Sequence, residues 1–263
     1  MGKLLAFTMV AATVATVVLF WRRVWWFPPN ISTVGAGVDG DFRLTLWVTG
    51  ILFVAAQLIL AYCIGRRPKA GRARYLTGNL RMEVAWAVVA GATFIGLALH
   101  SYRTWARMYF IGAPPNAVKI QVEAEQFAYW FRYPGPDGVF GPMHLRLIND
   151  ATGNYFGLDP ARDPTSRDDI VTATLGIPVD RPVELLLMSR DVIHSFYVPE
   201  LRIQQDIVPG MVIPIHFTAT RTGNYEIVCT QLCGLGHYAM RAPLKVMTEA
   251  KFKQWLARQA AEQ

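Results

Sequence analysis

The chain has 263 residues, 52% of them hydrophobic, and a formal net charge of +7. That hydrophobic share is high for a soluble protein, and the length holds one ordinary globular domain plus several membrane spans. The charge is unevenly split: residues 1–112 carry 12 Lys+Arg against 3 Asp+Glu, a net of +9, while residues 113–263 carry 14 against 16, a net of −2. The basic excess belongs to the first part, so nucleic acid is not the indicated partner of the second.

Three apolar runs come first, at residues 4–20, 44–64 and 84–106. Each is close to the roughly 20 residues that a membrane-spanning helix needs. Core helices of a soluble protein are the alternative, but the first 107 residues leave little polar chain to cover three such runs. Lys3 followed by an apolar stretch also resembles a secretory leader. No small-x-small cleavage pattern follows, since Phe20-Trp21-Arg22-Arg23-Val24 comes next, and a retained anchor helix is expected. The loop 65–81 holds Arg66, Arg67, Lys69, Arg72, Arg74 and Arg81 with no acid. Such a loop faces the cytoplasm, so the second helix runs inward, the third runs outward, and everything after about residue 109 lies outside. Arg22 and Arg23 then sit outside against the rule, though Trp21, Trp25 and Trp26 suit a membrane interface. The expected setting is multi-pass, in a bacterial-type plasma membrane or an equivalent energy-transducing membrane. Residues 1–112 form the anchor, 113–250 the outer domain and 251–263 a terminal helix or tail.

The outer part reads as β structure. Residues 118–131 mix alternation with aromatics. Residues 183–188, 193–198, 212–217, 225–229 and 244–247 are short apolar or alternating runs. Turn formers separate them, including Pro134-Gly135-Pro136-Asp137-Gly138, Pro209-Gly210 and Thr222-Gly223-Asn224. This spacing predicts a sandwich or small barrel. Residues 148–170 are polar and turn-rich and read as an excursion from the sheet.

Only three cysteines are present. Cys63 falls in the second apolar run. Cys229 and Cys233 fall in Cys229-Thr230-Gln231-Leu232-Cys233-Gly234-Leu235-Gly236-His237-Tyr238-Ala239-Met240, which gathers two thiols, an imidazole and a thioether. His194 lies upstream in Asp191-Val192-Ile193-His194-Ser195-Phe196. A disulfide between the two cysteines fits an extracytoplasmic domain but leaves the histidine and methionine unexplained. Tetrahedral zinc on Cys229, Cys233, His237 and His194 is chemically sound but leaves Met240 idle. Thiolate, imidazole and thioether together suit copper. A mononuclear blue-copper site takes one Cys, two His and an axial Met. Here a second Cys is added, and two bridging thiolates can hold two copper ions with one His on each. Met240 then caps one ion, and a backbone carbonyl within the 229–233 loop caps the other. His144 and His216 lack sulfur neighbours and read as surface or strand residues.

Residues 175–247 resemble subunit II of the haem–copper cytochrome c oxidases. The matching pieces are the Asp191–Phe196 segment, Val198-Pro199, Asp206, Pro209-Gly210 and the loop 229–240. Gln126 with residues 129–134 is similar to that family's aromatic segment, and Glu83-Val84-Ala85-Trp86 to the start of its second membrane helix. The resemblance spans about residues 35–250. It implies a membrane-anchored all-β fold, with N-terminal transmembrane helices followed by a cupredoxin-like β-sandwich. It implies a dinuclear copper centre, CuA, that accepts electrons from cytochrome c or a membrane-bound cytochrome donor. The electrons pass to haem in subunit I, where oxygen is reduced; no catalytic residue is expected in this chain. The implied ligands are His194, Cys229, Cys233, His237, Met240 and the backbone carbonyl of Gln231. Implied partners are subunit I, other membrane subunits and the lipid bilayer.

Three departures follow. The family usually has Glu between the cysteines, where its side chain helps bind magnesium at the subunit I interface. Gln231 stands there, and a neutral amide is a poor ligand for a hard cation, so magnesium is doubtful here. The family's electron-receiving tryptophan follows the glutamine directly; here Phe127 does, and Tyr129 and Trp130 come slightly later. The additional first helix departs from a two-helix plan. Asp191, Glu200 and Asp206 are candidates for docking a basic donor. A copper-delivery or storage protein is a different class of reading, disfavoured by the three spans and by Glu83, read as buried. A nitric-oxide-reducing relative has the same subunit, since that chemistry lies in another chain. A quinol-oxidising relative lacks the thiolates.

Overall fold

The computed structural model describes residues 1–23, 27–66 and 77–263. Trp25 and Trp26, and Arg67, Lys69, Arg72 and Arg74 of the basic loop, lie outside the described residues. Two compact units result: Met1–Phe27 with Val38–Arg103, and Pro28–Gly37 with Thr104–Gln263.

Three helices, α1 (Gly2–Arg22), α2 (Thr33–Gly65) and α3 (Leu80–Tyr109), are long and apolar enough to cross a membrane. Large apolar side chains such as Phe7, Trp47, Ile51, Phe94 and Leu99 are exposed on them, as a lipid-facing surface requires. Helix α2 starts well before its apolar run. Ser32 supplies the reason, because its Oγ accepts the Gly35 N–H at 2.9 Å and caps the first turn. Asn79 does the same for α3, accepting the N–H groups of Arg81 and Met82 at 3.1 and 3.4 Å. Glu83 is exposed in the first turn of α3, not buried as read from sequence. An acid there faces the positive end of the helix dipole.

The second unit is a sandwich of two five-stranded sheets. Its strands are β1 (Val118–Glu125), β2 (Ala128–Tyr133), β3 (Ile170–Thr172), β4 (Leu175–Pro178) and β5 (Pro182–Ser189). They continue with β6 (His194–Val198), β7 (Ile203–Ile207), β8 (Ile213–Thr218), β9 (Gly223–Val228) and β10 (Arg241–Met247). One sheet has the order β3-β2-β1-β5-β8, the other β4-β10-β9-β6-β7. The β1–β5 and β4–β10 pairs are parallel and the rest antiparallel. Alternation builds the core: Ile120, Val122 and Ala124 from β1 and Val183, Leu185 and Leu187 from β5 meet Phe196, Ile227 and Leu244 of the other sheet. The fold class expected from the sequence is the one found, apolar helices followed by a β-sandwich.

The units divide differently from the sequence boundaries. Residues 28–37 belong with the sandwich, because Ile31 is buried there and pairs with Glu200 and Thr220 through its backbone. The terminal helix α4 (Glu249–Ala261) also belongs to it. Its Phe252 and Trp255 pack on Tyr133, and a Cβ at Gly176 would lie 2.4 Å from the Trp255 ring.

Between β2 and β3 the chain leaves the sheet through short helical turns and returns. Its anchor is Arg132, fully buried, which bonds Gln121, the Gly141 carbonyl and the Asp169 carboxylate. Phe140 and Phe156 place their rings 5.3 and 5.8 Å from the guanidinium. Tyr155 stacks on Trp130 with ring centroids 3.4 Å apart.

Glu123 sits on β1 between Trp130 and Met188 of the neighbouring strands. Burial pushes its carboxyl from 4.5 up to about 7; Arg190 opposes the shift and Asp191 adds to it. Between those values the folded chain holds a proton that the unfolded chain has lost. Stability therefore falls as pH rises through that window and levels off above it. We expect Glu123→Gln to match the parent near pH 4.5 and to exceed it at pH 8 by about 2–3 kcal/mol, read by denaturant unfolding at both pH values. Equal differences at the two pH values would refute this.

Candidate metal centre

Two loops at one end of the sandwich carry the sulfur and imidazole groups. The first joins β5 to β6 and delivers His194, the first residue of β6. Its register against Ile207 of β7 buries the ring completely. The second joins β9 to β10. The Cys229 N–H donates to the Met240 carbonyl at 3.2 Å and closes its base. Cys229, Cys233 and Met240 are buried inside it.

The donors converge. The ligand atoms of His194, Cys229 and Cys233 lie within 4.8 Å of one another. The Cys229 and Cys233 sulfurs are 3.9 Å apart. A disulfide bond is about 2.05 Å, so these are two free thiols. His237 Nδ1 lies 3.6 Å and Met240 Sδ 3.7 Å from Cys233 Sγ. The Gln231 carbonyl oxygen lies 3.2 Å from Cys229 Sγ. The six candidate ligands read from the sequence thus come together in one cluster. His194 Nδ1 is buried and has no hydrogen-bond partner. An unpartnered buried nitrogen beside two free thiols is costly unless something binds it. Burial, and then the neighbouring Cys229, push the Cys233 thiol up to about 11. A metal taking the thiolate must displace that proton.

The support around the cluster is polar and specific. Ser195 Oγ accepts the Thr230 N–H at 2.6 Å, tying one loop to the other. Tyr129 is buried and donates its hydroxyl to the Ser195 carbonyl at 2.6 Å. Burial raises this phenol, and the nearby Cys229 and Cys233 raise it further, so it stays a donor. Gln126 donates its side-chain amide to the Cys233 carbonyl. The ring of Phe127 lies against two loop glycines. A Cβ at Gly236 would meet it at 2.4 Å, and Gly234 has φ +138° as well as a ring atom 3.1 Å from its missing Cβ.

The three candidate electron-receiving aromatics are thus placed differently. Phe127 touches the cysteine loop and is 38% exposed. Tyr129 is buried with its hydroxyl on the Ser195 carbonyl, and Trp130 lies under Tyr155 with its Nε1–H on Glu125 at 2.7 Å. Of the candidate docking acids, Asp191 is exposed and Glu200 and Asp206 are half-buried. Asp191 accepts from His194, Gln126 and Val192. Burial pushes its carboxyl up, but these bonds outweigh it and hold it below its usual value. Asp206 accepts the Gln231 amide at 2.8 Å. Glu200 lies beyond the far end of β6, roughly 15–20 Å along the chain from His194. His144 is exposed on the excursion and His216 half-buried on β8.

Sequence reasoning did not find the roles of Asp191 and Gln126 as partners of the ligand loops. An aspartate three residues before a histidine across a tight loop is the signal that was available.

Comparison with known proteins places the chain. The family model for the periplasmic domain of cytochrome c oxidase subunit II matches residues 164–247. The chain is 34% identical over 258 residues to the alternative cytochrome c oxidase subunit 2 of Bradyrhizobium diazoefficiens, covering 97% of this chain and 91% of that one. It is 31% identical over 273 residues to cytochrome c oxidase subunit 2 of Thermostichus vulcanus, covering 94% and 83%. Among solved structures, the periplasmic domain of subunit II of cytochrome oxidase of Bradyrhizobium japonicum is 22% identical, with 57% of this chain and 97% of that chain covered and a TM-score of 0.42. The chain therefore belongs to the cytochrome c oxidase subunit II family, as a membrane-anchored, extracytoplasmic-domain subunit of a haem–copper oxidase whose catalytic site lies in subunit I.

Proposed function

We propose that this subunit accepts electrons from cytochrome c, or from a membrane-bound cytochrome donor, at a dinuclear copper centre and passes them to haem in subunit I for oxygen reduction. The observation that carries the reading is the convergence of two free thiols, an unpartnered buried imidazole nitrogen, a second imidazole, a thioether and a carbonyl. Two bound copper ions supply one-electron chemistry shared between soft sulfur ligands. The chain's own residues hold the donors in fixed relation through the Ser195–Thr230 and Gln126–Cys233 bonds, so little rearranges on transfer. Burial of His194, Cys229, Cys233 and Met240 keeps water from them.

The helices α1 to α3 act as three spans in a bacterial-type or equivalent energy-transducing membrane, with residues 113–250 outside and basic residues 65–81 inside. The lipid bilayer and other membrane subunits surround the anchor. Phe127 is the electron-receiving aromatic, because it alone of the three is both exposed and packed on the cysteine loop. Leu232, Leu235 and Tyr238 on that loop are exposed and give the donor an apolar contact centre. Stopped-flow reduction by a soluble cytochrome c tests this. Phe127→Ala should lower the rate several-fold at saturating donor, while Trp130→Phe should leave it near the parent value. The reverse pattern would move the route to the Trp130–Tyr155 stack.

Gln231 enters through its backbone only. Gln231→Ala should keep both coppers and a nearly unchanged copper spectrum, because the carbonyl survives the change. Loss of copper in that variant would show that the amide bond to Asp206 holds the loop.

A further inference from the structure

We propose that Asp191 is a positioning residue for the ligand His194, holding its ring by Nε2 so that Nδ1 is left free for the metal. This rests on the copper reading above. The geometry carries it. His194 is 0% exposed and has Nε2 2.8 Å from Asp191 Oδ1. An ionised carboxylate accepts and never donates, so the proton of the neutral ring must sit on Nε2. The other nitrogen, Nδ1, is then a bare lone pair, and it is the one buried without a partner. The tautomer that Asp191 selects is the one that leaves this buried nitrogen able to bind a metal.

Asp191 is itself held. Its Oδ2 accepts the Gln126 N–H at 2.7 Å and its Oδ1 the Val192 N–H at 2.6 Å. Gln126 lies in the β1–β2 turn, and its side chain reaches the Cys233 carbonyl on the other ligand loop. One turn therefore joins the histidine loop to the cysteine loop through Asp191. A carboxylate tied down by three donors around a ligand is built to orient it. Such a carboxylate–histidine pair fixes ring orientation and makes the imidazole a stronger donor. The site is then set before copper arrives, and the negative charge favours the oxidised metal pair.

The test uses the full chain in detergent. Long-range 1H–15N correlation of the metal-free protein reads the His194 tautomer directly. We expect the Nε2–H form, and a mixture in Asp191→Ala. Competition with a copper chelator should show about 10–100-fold weaker copper binding in Asp191→Ala. Asp191→Asn still accepts from Nε2–H and should bind within a few-fold of the parent, with a raised reduction potential because the charge is gone. An Nδ1–H tautomer in the parent overturns the proposal. So does Asp191→Ala with unchanged tautomer and copper affinity, whether its only defect is lower stability or slower reduction by cytochrome. If Asp191→Ala does not fold, the parent tautomer and the Asp191→Asn potential decide. A parent chain that shows the Nε2–H form but takes up no copper upholds the positioning and rejects the copper reading instead.

Discussion

Replacing Cys229 with serine should abolish the paired-copper spectrum and leave the sandwich folded. A serine hydroxyl does not ionise at neutral pH, and its oxygen is hard where a paired copper site would take a soft sulfur donor. The two sulfurs are 3.9 Å apart, a spacing that allows both to face the same ions. Both thiolates would hold the copper, so with one replaced the loss of copper affinity should exceed the roughly 10–100-fold typical of losing an outer support. The substitution is nearly isosteric at a buried position, so the unfolding transition should shift little. Copper count, absorption spectrum and thermal unfolding of the purified variant check this together. A variant that keeps two coppers and the parent spectrum would show that Cys229 does not bridge.

The largest effect on stability is expected at Arg132. Arg132→Met should destabilise the sandwich unit by about 3–5 kcal/mol, because it leaves the Asp169 carboxylate buried and unpaired. Burial already pushes that carboxyl above its usual value against the pull of Arg132 and the Gly141 N–H. The excursion loses its bonds to Arg132 through Gly141 and Asp169, and Phe140 and Phe156 lose the cation beneath their rings. A downward shift of the unfolding midpoint by roughly 10 °C is the scale to look for. Adding Asp169→Asn removes the stranded charge and should recover part of the loss, which a simple packing defect would not allow. Equal stability of the single and double variants would contradict this account.

Much of this arrangement was readable from residue order because its causes are local. The apolar runs that became α1, α2 and α3 declare themselves by length. The cysteine loop declares itself by holding four soft or nitrogen donors between Cys229 and Met240. Elements set by distant partners were less legible. Residues 118–131 read as one segment, yet they fold as a hairpin turning at Gln126-Phe127, which carries none of the usual turn residues. Strands β3 and β4 are too short to show a period. Strand β7 has a polar interior, Gln204-Gln205-Asp206, because only Ile203 and Ile207 are buried. The docking acids were chosen by charge and proximity in sequence. Two of them, Asp191 and Asp206, also bond the ligand loops, through partners such as Gln126 and Gln231 that lie elsewhere in the chain.

The central claim is a pair of copper ions sharing one electron within this chain. Electron paramagnetic resonance of the detergent-solubilised, copper-loaded subunit, with a metal assay on the same sample, tests it most directly. The account predicts two coppers per chain and hyperfine coupling to two equivalent nuclei. A four-line mononuclear copper pattern, or a sample that holds only zinc, would contradict it.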